Sequence, residues 1–136
     1  MIEMVEHTAD VGIKVRTRTL EELFKEAARG LSKLMFSFKE EPSIVEEIIV
    51  EVEAEDVEEL LVTWLNELIY VFESKELAFI EFDFIEFSHS RLKARVKCAR
   101  ISAEQVVCYV KAATYHGLFV KRGGDGWYEA TVIFDV

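Results

Sequence analysis

Two acidic residues at opposite ends of this sequence carry the first suggestion of chemistry. Asp10 closes the run Glu6-His7-Thr8-Ala9-Asp10, just before an alternating stretch, and Asp135 is followed only by Val136. If the strands that bear them lie side by side, the two side chains and the α-carboxylate of Val136 converge. Such a cluster repels itself unless it is protonated or holds a cation. A donor set made only of oxygens favours hard ions such as Ca²⁺ or Mg²⁺ over zinc. The plainer reading makes Asp135 a solvated end and Asp10 a turn residue. The hydrophobic run Val132-Ile133-Phe134 argues against it by tying that end into a core.

Lys111 is the second candidate. It sits among apolar residues in Val110-Lys111-Ala112-Ala113-Thr114-Tyr115-His116, on what reads as a central strand. A lysine there needs a carboxylate partner or a functional reason, unless it reaches solvent at a strand edge. The three histidines, His7, His89 and His116, have no second histidine at zinc-ligand spacing. Two rows of basic residues share a parity: Lys14, Arg16 and Arg18, then Arg91, Lys93, Arg95 and Lys97. Period two puts each row on one sheet face. There it either pairs across strands with Glu51 and Glu53 or forms a docking patch for RNA or an acidic partner.

The elements that would position these groups follow from periodicity. Val11, Ile13 and Val15 alternate with Gly12, Lys14 and Arg16, the pattern of a half-buried strand. Thr19 and Glu22 have capping-box spacing, and an apolar stripe from Leu20 to Phe38 then recurs at helical spacing. Ile48, Val50, Val52 and Ala54 predict a second strand. Asp56, with Glu59 three residues on, predicts the cap of a second helix whose apolar face runs from Val57 to Phe72; Asn66 and Glu67 read as solvated. The run Phe79 to Phe87 alternates and then changes phase, which predicts a bulge or a strand buried on both faces. Ser88-His89-Ser90 reads as a turn, and Leu92 to Cys98 as a strand. A further strand is expected from about Val106 to Thr114. His116–Lys121 and Trp127–Asp135 should pair across Gly123-Gly124-Asp125-Gly126. Two helices and a run of hairpins predict an α+β fold, the helices packed on a mostly antiparallel multi-stranded sheet.

Composition sets the boundaries. A chain of 136 residues, half of them hydrophobic and ten of them Phe, fits one domain spanning 1–136 with an ample core. The net charge of −10 argues against a surface that binds nucleic acid as a whole. No apolar run approaches membrane-spanning length, and no signal-like segment precedes the charged Glu3 and Glu6, so the cytoplasm is the expected compartment. Cys98 and Cys108 are then expected as reduced thiols, acting as small hydrophobes. There is no GxSxG elbow, no P-loop and no GxGxxG run.

Five segments in order resemble the archease family: Glu6-His-Thr-Ala-Asp-Val-Gly-Ile13, Glu22-Leu-Phe-Lys-Glu-Ala-Ala28, Trp64-Leu-Asn-Glu-Leu68, Val110-Lys-Ala-Ala-Thr-Tyr-His116 and Val132-Ile-Phe-Asp-Val136. The resemblance implies an accessory protein rather than a stand-alone enzyme. Archeases assist the RtcB-type tRNA-splicing ligase, which joins RNA ends with GTP and Mn²⁺, by promoting its guanylylation and repeated turnover. By motif position the family's divalent-cation site, seen with calcium, falls on Asp10, Asp135 and Val136, and its required lysine on Lys111. RNA would be met through the ligase. One segment departs: the family usually carries a Gly-Glu pair and a further histidine where this chain reads Ala99-Arg-Ile-Ser-Ala-Glu-Gln105. Two alternatives stand beside the resemblance. One is a small metal-dependent phosphoester hydrolase using the same carboxylates to activate water; the other is a chaperone-like binding module.

Overall fold

The computed structural model describes residues 1–6 and 10–136, so the expectations for His7, Thr8 and Ala9 lie outside the described residues. Strands β1 (Ile2–Glu6) and β2 (Asp10–Thr17) precede helix α1 (Leu20–Met35), β3 (Ile44–Glu53) and helix α2 (Val57–Lys75). Then come β4 (Leu77–Phe87), β5 (Arg91–Arg100), a short 3-10 turn at Ala103–Gln105, and strands β6 (Ala112–Ala113), β7 (Phe119–Arg122) and β8 (Tyr128–Asp135).

The α+β class holds, with one refinement: the strands divide into two sheets. One runs β1-β2-β8, with β6 and β7 both pairing the far edge of β8; the other runs β3-β5-β4. Every pairing is antiparallel. The first strand-helix-strand passage, β2-α1-β3, therefore crosses from one sheet to the other, while the second, β3-α2-β4, stays in one sheet with β5 lying between its two strands. Strand β1, which periodicity does not single out, forms a hairpin with β2 from Ile2↔Val15 to Glu6↔Val11.

Both helices begin where their caps predict. The Thr19 hydroxyl accepts from the Glu22 N–H at 3.1 Å, and Asp56 accepts from the Glu59 N–H at 2.8 Å, each satisfying one free donor of a first turn. Helix α1 stops at Met35, short of the stripe's end at Phe38. Phe36 turns extended and bridges Val106, yet stays buried against Phe38, Phe72 and Phe79. The apolar spacing outlasts the helix because the chain beyond it is still core.

Both helices contact strands of both sheets, and the core lies between them. Trp64 on α2 is fully buried, meets Phe82 and Phe84 edge-on at 5.9 and 5.4 Å, and donates its indole N–H to the Phe24 carbonyl of α1 at 3.1 Å. The phase change after Phe84 coincides with a register shift against β5 between Phe84 and Glu86; a second shift, between Phe79 and Glu81, leaves no mark in the alternation. The glycine-rich loop closes the β7–β8 hairpin with Gly126 at φ 85°, a conformation that suits a residue without a Cβ. Cys98 is buried and Cys108 half-buried, both as free thiols. Burial pushes the Cys98 thiol up to about 11, which keeps it protonated and unreactive at neutral pH.

Candidate functional site

The two ends of the chain meet. β2 and β8 are antiparallel neighbours, and their register sets Asp10 directly opposite Asp135. Side chains directly opposite on such a pair have Cβ atoms about 4.5–5.5 Å apart, within the span one cation can bridge. Asp10 is half-buried, and Asp135 and Val136 are exposed. Among the described residues, no group of three or more His, Cys, Asp or Glu side chains is arranged to hold a metal ion. The site therefore offers two side-chain carboxylates, with the Val136 α-carboxylate next along the chain. Two aspartates with nothing softer among them form an oxygen-only donor set, which fits a hard divalent cation.

Gly12 brings the two strands together. A Cβ there would lie 2.8 Å from the Val132 carbonyl oxygen and 2.7 Å from the Ile133 side chain, which lies over the glycine. The backbone oxygen cannot swing away as a side chain could. Gly12→Ala should therefore part β2 from β8 two residues from Asp10, cost about 1–3 kcal/mol as an overpacked site, and weaken calcium binding together with thermal stability. Unchanged Tm and calcium affinity in that variant would mean the close approach is unimportant.

Lys111 joins the same end through its backbone. Its N–H donates to the Asp135 carbonyl at 2.8 Å, and Ala112, the next residue, pairs with Asp135 on β6. The expectation of a long central strand is corrected here. From Val106 the chain runs past α1, with the Val107 N–H bonded to the Met35 carbonyl, and only Ala112–Ala113 form a strand, at the edge of the sheet. Lys111 is accordingly exposed and makes no ion pair among the described residues.

The residue that fixes this short edge is Asn66, which periodicity assigns to solvent. Its side-chain amide accepts from the Ala113 N–H at 2.7 Å and donates to the Ala113 carbonyl at 3.3 Å. The amide takes the place of a neighbouring strand and ties α2 to β6. Asn66→Ala should leave both backbone groups without their partner, at about 1–3 kcal/mol. The expected signs are faster amide exchange at Ala113 and a lowered Tm; unchanged exchange there would count against this role. Its position in the Trp64–Leu68 run is the only sequence signal.

The basic rows resolve mainly as cross-strand pairs. Arg91 lies against Glu51, with Glu53 at 3.6 Å and Glu86 at 3.8 Å; Arg95 meets Asp83 at 3.5 Å and Glu47 at 4.0 Å; Lys97 meets Glu81 at 3.8 Å. Acidic residues on both β3 and β4 thus flank the β5 row and neutralise it. On β2, Arg16 pairs with Asp125 and, at 3.2 Å, with Glu129. The guanidinium groups of Arg16 and Arg18 lie 4.4 and 4.2 Å from the Trp127 ring centroid. The Trp127 backbone N–H donates to Asp125 at 3.0 Å and, with Arg16, holds that carboxyl below the usual carboxylate range. His89 and His116 are exposed in turns. No helix among the described residues is long and apolar enough to cross a membrane.

Comparison with known proteins bears on the family and the fold. The model of the Archease protein family (MTH1598/TM1083) matches residues 2–136. The protein archease of Archaeoglobus fulgidus is 35% identical, covering 97% of this chain and 96% of its own; that of Pyrococcus furiosus is 34% identical, covering 98% and 97%. The solution structure of Methanobacterium thermoautotrophicum protein 1598 superposes with a TM-score of 0.81 at 28% identity, over 99% of this chain and 98% of that one. The crystal structure of a Thermotoga maritima archease, described as a possible chaperone, gives a TM-score of 0.68 at 26% identity, over 100% and 98%.

Proposed function

This chain belongs to the archease family, and we propose that it is an accessory protein that promotes guanylylation and repeated turnover of an RtcB-type RNA ligase in tRNA splicing. In this reading a divalent cation, Ca²⁺ or alternatively Mg²⁺ or Mn²⁺, is held by Asp10 and Asp135 with the α-carboxylate of Val136. The observation that carries it is the register of β2 against β8, which sets two carboxylates opposite each other at one sheet end. Like charges directly opposite destabilise a strand pair, so the arrangement favours a bound cation.

When bound, the ion neutralises the carboxylates and offers positive charge to phosphate oxygens of the ligase's nucleotide. Asp10 and Asp135 hold it, Gly12 keeps their strands close, and Asn66 steadies the edge that carries Lys111. The Lys111 ammonium, exposed beside this end, is the group on this chain suited to contact a nucleotide phosphate as a point charge. The neutralised β5 row and the net charge of −10 favour RNA contact through the ligase.

Lys111→Ala should fold with an unchanged Tm and bind calcium normally, yet lose most of its stimulation of ligase guanylylation; Lys111→Arg should recover part of it. Full stimulation by Lys111→Ala would remove the lysine from the account. The protein alone, given Mg²⁺ or Mn²⁺, should not hydrolyse phosphate esters, and turnover would replace this reading with the hydrolase one. The description of the Thermotoga structure as a possible chaperone favours a plain binding module. That reading predicts ligase stimulation insensitive to chelators.

A further inference from the structure

A second site lies on the same sheet face as Asp10 and Asp135, four residues farther along β2 and so about 13 Å away by strand rise. Lys14, Thr131 and Phe119 are cross-strand neighbours in one row over β2, β8 and β7. They line a cleft of about 260 Å³. Thr131 is 8% exposed, and its hydroxyl has no hydrogen-bond partner among the described residues. Buried hydroxyls are rarely left so, and the absence of a partner points to a missing acceptor or donor in the cleft.

The charges around it are cationic in an acidic protein. Lys14 stands opposite Glu3 on β1, and Arg16 and Lys121 flank Glu129 on β8, with Arg16 and Glu129 already paired. Among the described residues Lys14 and Lys121 make no ion pair; the Lys121 ammonium rests 5.1 Å from the Phe119 ring centroid. Both lysines are exposed; the Thr131 hydroxyl is itself out of solvent contact, so a ligand reaches it only when neighbouring side chains shift. Two unpaired ammonium groups and one orphaned hydroxyl match a dianion with several acceptor oxygens. The cleft is larger than a bare carboxylate requires, and the 36% exposed Phe119 ring gives it an apolar wall for an organic body.

We propose that the Lys14–Thr131–Lys121 cleft binds a phosphomonoester group. It is carried either by a small metabolite or by the terminal phosphate of a nucleic acid. Thr131 donates to one phosphate oxygen, the two lysines balance the charge, and Phe119 supports the attached body.

The test is an amide chemical-shift titration of the full chain with inorganic phosphate, ribose 5-phosphate, a 5′-phosphorylated trinucleotide and its unphosphorylated counterpart. The expected result is saturable shifts at Lys14, Phe119 and Thr131 with the phosphorylated probes alone. The isosteric Thr131→Val and the double variant Lys14→Gln/Lys121→Gln should each weaken binding about tenfold or more. Thr131→Val should also raise the Tm of the phosphate-free protein, because it removes the unpartnered hydroxyl. Equal affinity for ribose 5-phosphate and the phosphorylated trinucleotide assigns the site to small phosphomonoesters; clearly tighter trinucleotide binding assigns it to nucleic-acid ends. Absence of saturable shifts in this row, or equal binding by the variants, overturns the proposal. An Asp10→Asn control should leave this titration unchanged, which keeps its outcome separate from that of the cation site.

Discussion

Replacing both Asp10 and Asp135 with Asn should abolish the rise in Tm that calcium gives the unaltered protein, and should raise the Tm of the metal-free protein. The two effects have opposite signs because the same repulsion underlies both. Two unit charges about 5 Å apart repel by about 1–3 kcal/mol for effective dielectric constants between water and a protein surface. The exposure of Asp135 puts the net effect at the low end, about 1 kcal/mol or less. Removing it should raise the metal-free Tm by about 3 to 5 °C at most for a chain of this size. Bound ion acts the other way: ligand at a hundred times its Kd stabilises the unaltered protein by about 2.7 kcal/mol, a shift of roughly 10 °C. Each single Asn variant should bind calcium about tenfold or more weakly, a loss of about 1.4 kcal/mol. Calorimetric scans with calcium and with chelator read all of this. A calcium-induced rise that survives in the double variant would show that the ion binds elsewhere.

The largest loss of stability is expected at Trp64. Trp64→Ala removes a fully buried indole from the contact between α2, α1 and β4, at about 3–5 kcal/mol for a large aromatic truncated in a core. It also leaves the Phe24 carbonyl without its side-chain donor. Native domains have about 5–15 kcal/mol in total, so this single change removes a large share, and the Tm should fall by more than about 10 °C. Trp64→Phe keeps much of the ring contact and loses the 3.1 Å hydrogen bond, so it should fall between the two. Denaturant melts of the three proteins check the order, and a Trp64→Ala loss under about 1 kcal/mol, far below the range for such a truncation, would contradict the core described here. Because Asn66 sits half a turn away on the same helix, amide exchange at Ala113 should rise in Trp64→Ala as well.

Features set by neighbours close in sequence are legible in the order of residues itself. Thr19 and Asp56 announce the two helices through cap spacing, the phase change after Phe84 announces the later of the two shifts in β4, and Gly123-Gly124-Asp125-Gly126 announces its hairpin. Features set by distant partners are not. Alternation does not say which strands share a sheet, so two sheets read as one. The apolar run from Val106 to Val110 resembles a strand because it is packed against the core, yet its backbone bonds go to Met35. Asn66 lies off the apolar face of α2, and only the arrival of β6 gives its amide a purpose. At the site, the two aspartates stand out as candidates from their positions alone, but their meeting depends on a single register, Asp10↔Asp135, which a slip of one residue would undo. Thr131 carries no signal at all, since an orphaned hydroxyl exists only once its surroundings are built.

The most direct test of the central claim is guanylylation of the RtcB-type ligase by GTP, measured with and without this protein and with its Asp10→Ala and Asp135→Ala forms. The account predicts strong stimulation by the unaltered protein and stimulation close to background with either variant, although both remain folded. Stimulation by both variants equal to that of the unaltered protein would contradict it.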